Sequence, residues 1–222
     1  MTGKVFPAFI ELSRPTIEEG FGHCVAAGAK RITVIPVILF AAMHVKEDIP
    51  QEIESAYQRY PDLEISYADP FGLHPLMLEI LLDRVRVLAN GDGLDRTAIL
   101  LVGRGSSDPS ANSNVAKLAR LLWEKIRSRW MEFCFIGVTE PSYPEGIVRC
   151  LALGAKKIYV IPYFLFTGVL IKRMKEVLEE FRTKHPDVEF HLGDYLGWDR
   201  RLVNVLLDRM REARLVKTDV TV

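Results

Sequence analysis

The chain has 222 residues, of which 49% are apolar, and its 29 basic side chains balance its 29 acidic ones for a formal net charge of zero. That length suits one large domain or two small ones, with enough apolar side chains for a real core. The neutral balance excludes nucleic-acid binding driven by bulk charge, and no apolar run approaches the ~18 residues of a membrane span.

The first residues, Met1 to Phe9, lack the charged and long apolar regions of a signal peptide. Val5–Ile10 reads as a strand, Ile17–Ala27 as a helix and Ile32–Leu39 as a strand rich in β-branched residues. A helix over Glu47–Arg59, a strand over Leu63–Tyr67 and a helix over Pro75–Leu88 follow. Ala89–Asp95 is a join, with Asn90, Gly91, Asp92 and Gly93 as turn formers. Thr97–Val102 is a short apolar run, hence a buried strand, and Asn112–Arg127 has helical periodicity. Phe133–Val138 reads as a strand. Glu145–Leu153 is a helix ending at Gly154, a good C-cap. Ile158–Leu165 is a strand, Ile171–His185 a helix stopped before Pro186, Val188–Leu192 a strand and Arg200–Arg211 a final helix. Short apolar strands alternating with helices predict parallel sheets covered on both faces. Cys24, Cys134 and Cys150 are odd in number and lack metal-site spacing, so they are read as reduced, buried thiols of a cytoplasmic protein.

The chain repeats itself. Shifted by 126 residues, Glu19–Lys46 lies on Glu145–Lys172 with 14 of 28 positions identical, among them Gly20/Gly146, Cys24/Cys150, Gly28/Gly154 and Pro36/Pro162. At a shift of 125, Gly72 lies on Gly197 and Leu81-Leu82-Asp83-Arg84 on Leu206-Leu207-Asp208-Arg209. Such a period is a duplicated domain rather than a solenoid. The expected lobes are residues 1–93, carrying the site, and 94–222, a degenerate copy. The second copy opens with a strand, the Gly103–Asn112 loop and a helix that the first copy lacks. Repeat logic therefore places a segment of roughly 35 residues ahead of Met1.

Ligands of parallel α/β sheets bind at the carboxyl ends of strands. There stand Glu11, after Val5–Ile10, and His44, after Ile32–Leu39, read as emerging from neighbouring strand ends. Imidazole suits cobalt, iron and nickel and accepts protons near neutral pH, and a carboxylate beside it can orient the ring, bind metal or take a proton. Position alone also allows the plainer readings: His44 as a polar loop residue and Glu11 as a carboxylate at a helix start. In the second copy Leu170 stands where His44 does. Glu140 lies past its strand much as Glu11 does, if three residues are gapped. The Gly103-Arg104-Gly105-Ser106-Ser107-Asp108 loop either holds an anion or is a tight turn with a helix cap; it has neither Walker nor dinucleotide-binding spacing.

Glu11-Leu12-Ser13-Arg14-Pro15, Gly28-Ala29-Lys30-Arg31-Ile32, Val34-Ile35-Pro36-Val37 and His44-Val45-Lys46-Glu47-Asp48-Ile49-Pro50 together resemble the sirohydrochlorin cobaltochelatases and ferrochelatases, class II chelatases. Gly103–Pro109 and Pro162–Leu170 are similar to the second half of the long, internally duplicated members. The resemblance implies two tandem, similar parallel-sheet α/β lobes of flavodoxin-like topology facing a central cleft, the first lobe lacking its first strand. It implies insertion of Co2+ or Fe2+ into sirohydrochlorin, in cobalamin or sirohaem biosynthesis, with no cofactor beyond the substrate metal and no nucleic-acid or membrane partner. His44 and Glu11 then handle metal and protons, while Arg14, Lys46, Arg104 and Ser106 meet the carboxylates of the substrate. A second family histidine corresponds by repeat to Arg104. Met43, Phe164 and Phe166 either pack the macrocycle or belong to the core and the cleft wall, the plainer and favoured reading. The alternative reading is a non-catalytic tetrapyrrole- or metal-binding protein of the same fold, monomeric or homodimeric.

Overall fold

The computed structural model describes residues 3–216. They form two compact units: unit 1 spans residues up to Phe71 together with those from Leu206, and unit 2 spans Gly72–Val205.

Unit 2 holds a four-stranded parallel sheet of order β4-β3-β5-β6, built from β3 (Thr97–Gly103), β4 (Trp130–Phe135), β5 (Lys157–Pro162) and β6 (Glu189–Leu192). All residues of β3 are buried, as expected of a central strand covered on both faces. Alternate residues Ala98, Leu100 and Val102, with Ile158 and Val160 of β5, share a core with Ile147 and Cys150 of α5 (Tyr143–Ala152) and Ile171, Met174 and Leu178 of α6 (Val169–Lys184). The period-2 alternation of a strand sends Ile99, Leu101 and Ile161 to the other side, where α3 (Pro75–Ala89) and α4 (Pro109–Ile126) pack.

Unit 1 is smaller. β1 (Arg31–Val34) and β2 (Glu64–Tyr67) run parallel, and a short β7 (Arg214–Leu215) pairs antiparallel with β2, an addition the periodicity did not predict. Its core joins Phe21 of α1 (Ile17–Ala26) to Ile49, Ile53 and Ala56 of α2 (Ile49–Arg59), with Leu63 and Ile65.

Helix limits follow their caps. Thr16 and Glu19 form a reciprocal capping box at α1, Asp108 caps α4, and Gly154 turns the chain after α5 at φ 85°. Strand limits differ more from expectation. β1 stops at Val34, β4 lies three residues earlier than expected and β5 ends at Pro162. The expected Val5–Ile10 strand does not form; among the described residues only Phe9 makes a bridge there, to Thr16. Its repeat counterpart β4 is held by β3, and the described part of unit 1 has no strand in β3's place, so this segment has no ladder to join. Cys134 and Cys150 are buried as expected, but Cys24 is partly exposed.

The repeat explains Gly20 and Gly146. A Cβ at Gly20 would lie 2.9 Å from the Ala8 side chain, and one at Gly146 2.7 Å from Cys134, so each helix needs glycine where it touches the chain before it. The units do not, however, follow the repeat. The last helix of each copy packs with the other copy's loop. Arg84, on α3, donates from Nε to the Tyr195 carbonyl (3.2 Å) and from Nη2 to that of Leu196 (2.7 Å) in unit 2. Its repeat partner Arg209, on α7 (Arg200–Glu212), donates to the carbonyls of Pro70 (2.9 Å) and Phe71 (3.0 Å) in unit 1.

Candidate functional site

His44 opens a π-helical turn, His44–Asp48, that runs directly into α2; it is a helical residue, not a loop residue. Pro50 has no N–H for the carbonyl of Lys46, and its ring crowds that carbonyl. The backbone widens instead, and the Ile49 N–H reaches back to the His44 carbonyl. The turn is fixed at several points. Val45 and Ile49 are buried. The Ala42 carbonyl accepts the N–H groups of both Val45 and Lys46 at 3.0 Å. Tyr67, at the end of β2, donates its hydroxyl to the Val45 carbonyl at 2.9 Å; burial, aided by the charge of Asp69, pushes that phenol up to about 12.

On this base the imidazole meets a carboxylate. His44 Nδ1 lies 2.6 Å from Asp48 Oδ2, with the two side chains 43% and 47% exposed. An ionised carboxylate only accepts hydrogen bonds, so Nδ1 carries the proton of this contact. In the neutral ring Nε2 then keeps its lone pair, on a side chain that is partly exposed. This is the arrangement in which a carboxylate orients a metal-binding histidine. Asp48 did not figure among the sequence candidates; its i,i+4 spacing from His44 is the signal that finds it.

The duplication supplies an internal comparison. At the corresponding place α6 begins as an ordinary α-helix at Val169, and Leu170, Met174 and Leu192 stand for His44, Asp48 and Tyr67. The π turn, the imidazole, its carboxylate and the tyrosine brace thus occur together in one copy and are jointly lost from the other. Helix widening of this kind is frequent at functional sites.

Glu11 and Arg14 lie in the exposed bend between Phe9 and Thr16. Arg14 Nη2 sits 3.0 Å from Glu19 Oε1, and Leu12 takes the left-handed conformation at φ 61°. The same bend recurs in unit 2. The Phe9 N–H to Pro15 carbonyl bond (2.8 Å) matches Phe135 to Pro141 (2.9 Å), and Val138 matches Leu12 at φ 47°. No gap is needed, so Glu140 is the counterpart of Arg14, and Glu11 corresponds to Gly137. Where unit 1 has an Arg14–Glu19 ion pair, unit 2 sets two carboxyls together. The hydrogen bond from Glu140 draws Glu145 down to about 2, while Glu145 raises Glu140.

The reading of Glu11 and His44 as products of neighbouring strands is also corrected. Their counterparts leave β4 and β5, which flank β3 on opposite sides, two strand spacings or ~10 Å apart. The repeat thus gives Glu11 and His44 no adjacent strand ends to leave from. Lys46 is exposed on the π turn. Arg104 and Ser106 lie in unit 2, in the loop after β3. Arg104 is exposed, and its carbonyl accepts the Gly137 N–H at 3.0 Å. The Ser106 N–H donates to Asn112 Oδ1 (2.9 Å) and its hydroxyl accepts the Asp108 N–H (3.0 Å). That loop is chiefly a tight turn ending in the Asp108 cap, although the Ser106 O–H retains a hydrogen to donate. Among the described residues no three His, Cys, Asp or Glu side chains converge into a cation cage, and no helix is long and apolar enough to cross a membrane.

The chain matches the CbiX family model twice, over residues 1–88 and 98–213. It is 44% identical over 208 residues to a sirohydrochlorin cobaltochelatase of Priestia megaterium, covering 92% of this chain and 67% of that protein. It is 38% identical over 203 residues to a sirohydrochlorin ferrochelatase of the same organism, covering 91% and 75%. The structure of SirB from Bacillus subtilis with Fe3+ is similar at a TM-score of 0.80 and 33% identity, over 92% of this chain and 80% of that one. The double match repeats the duplication seen in the residues, and the fold agrees over nearly the whole length: the chain belongs to the CbiX family.

Proposed function

We propose that this protein inserts a divalent metal ion, cobalt(II) or iron(II), into sirohydrochlorin. The observation that carries this reading is the His44–Asp48 pair on its braced π turn, in a chain aligned over nine-tenths of its length with relatives named for that reaction.

Metallation exchanges both inner pyrrole protons for one divalent cation, which must shed water on the way. A ligand that binds loosely and then accepts a proton serves both halves of the exchange. His44 Nε2 is such a group, because Asp48 holds the opposite nitrogen in its N–H form. Glu11 is assigned as the second metal-handling and proton-accepting residue. Arg14, Lys46, Arg104 and the Ser106 hydroxyl are assigned to the peripheral carboxylates, which charged donors recognise best. The protein is proposed to work in the cytoplasm, as a monomer or homodimer, with the metal ion as substrate.

The test is anaerobic insertion followed by the absorbance of sirohydrochlorin, with cobalt(II) and iron(II) in parallel. Wild-type protein is expected to exceed the protein-free rate with at least one metal, and His44→Ala to abolish that excess. An unchanged rate in His44→Ala overturns the assignment of His44. Tight binding of sirohydrochlorin without any acceleration favours a non-catalytic carrier.

A further inference from the structure

Two aromatic rings stand uncovered at the carboxyl rim of the unit 2 sheet. Trp198 is 96% exposed and Phe166 51%; their centroids are 6.0 Å apart, with 57° between the ring planes. The other tryptophans are engaged. Trp123 donates its indole N–H to the Ser128 carbonyl, and Trp130 packs on the core. An indole left almost wholly in water forgoes the burial that large aromatics normally gain.

The backbone beneath these rings is fixed. The N–H groups of Leu196 and Gly197 donate to the carbonyls of Phe164 (2.8 Å) and Leu165 (2.9 Å), tying the loop after β6 to the loop after β5. Arg84 holds the carbonyls of Tyr195 and Leu196. Asp199 is gripped by Arg201 at 2.7 Å. Trp198 thus projects from a braced loop, and Phe166 is its aromatic neighbour. Around the rim Arg104, Lys172, Arg173 and Arg200 are exposed. The first turn of α6 has no acidic residue, and no side chain caps its start. Asp194, after β6, and Glu140, in the bend after β4, are exposed carboxylates of the same rim.

We propose that Trp198 and Phe166 form a stacking platform for a flat, aromatic polycarboxylate, here metal-free sirohydrochlorin. The proposal rests on the chelatase reading above. With 57° between them, only one ring can lie flat on a macrocycle. Trp198, the freer, takes the face, and Phe166 meets the edge. The surrounding cations match the peripheral carboxylates, which an uncharged apolar partner would leave unpaired.

The test titrates the full chain anaerobically with metal-free sirohydrochlorin and no metal. In a Trp123→Phe/Trp130→Phe background, saturating quenching of the Trp198 emission is expected. Because a bound tetrapyrrole also quenches by energy transfer from a distance, affinity decides. Trp198→Ala, in the otherwise wild-type chain, is expected to raise the Kd about tenfold, within the range of one aromatic stacking contact, and Trp198→Phe to restore most of the affinity. A Trp198→Ala protein that binds as tightly as wild type overturns the platform and leaves the chelatase reading standing. Failure of the wild type itself to bind overturns both.

Discussion

His44 and Asp48 act as one unit, although Asp48 need never touch metal or substrate. Replacing Asp48 by Asn keeps the volume but removes the charge that holds Nδ1 as the donor, so the ring is free to turn or to change tautomer. Loss of an outer carboxylate of this kind typically costs 10- to 100-fold in metal affinity or activity. Asp48→Asn is expected to lower the metal-insertion rate about tenfold and to raise the KM for metal, while the Kd for metal-free sirohydrochlorin stays unchanged. Steady-state kinetics against metal, beside the binding titration, checks the split. Equal losses in both would make Asp48 a structural residue of the π turn. His44 and Glu11 stood out in the residues because each lay just past an expected strand, although neither directly follows a strand in the structure. Asp48 was hidden in plain charge pattern, since a carboxylate one turn from a helix start is an ordinary sight.

At the level of elements, the C-terminal ends of helices were legible to about one residue, while the start of α4 lies three residues before the expected Asn112 and the ends of β1, β4 and β5 were missed by as much or more. Thr16, Asp108 and Gly154 announce helix limits by chemistry that acts locally. A strand ends where its partner ends. The apolar run Ile35–Leu39 carries on past β1, and Val5–Ile10 is apolar enough for a strand, yet Pro7 at its middle cannot donate to a ladder and no strand among the described residues pairs with it. The π turn was equally illegible, for Pro50 is also an ordinary residue in the first turn of an α-helix, and so does not by itself announce the widened turn ahead of it. The α3–α7 clamp of unit 2 makes its own prediction. Arg201 Nη1 lies 2.7 Å from Asp83 Oδ2, and Nη2 lies 2.7 Å from Asp199 Oδ2. Hydrogen bonding to Arg201 holds both carboxyls below the usual carboxylate range. A depressed folded value means that the stabilisation is fully present above the unfolded value, about 3.9 for Asp. It is lost as the pH falls through the folded value. Asp199→Asn is therefore expected to lower the denaturation midpoint at pH 7 and to flatten its fall as the pH drops below the unfolded value. Urea unfolding at a series of pH values checks this, and an unchanged slope would refute it.

For the whole molecule, the duplication and the compact units divide the chain differently. The two family matches part between residues 88 and 98, whereas α3 packs in unit 2 and the end of α7 packs in unit 1. This was beyond reach of the residues, because an exchanged helix has the same periodicity as one that stays at home. Fragments 1–93 and 94–222 should each fail to show a cooperative thermal transition alone, and their mixture should recover one. Circular dichroism of the separate and mixed fragments tests the point, and a sharp transition in either fragment alone would count against it.

The repeated Leu-Leu-Asp-Arg phrase has a consequence for ancestry. Arg84 satisfies carbonyls that belong to the later copy, and Arg209 satisfies those of the earlier one. A primitive chain with a single copy would carry the arginine and the loop carbonyls but could not bring them together in the exchanged pattern within itself. Two such chains could, each lending its last helix to the other. Fusion of two genes would preserve such a handshake within one chain, in which only the earlier copy carries the histidine.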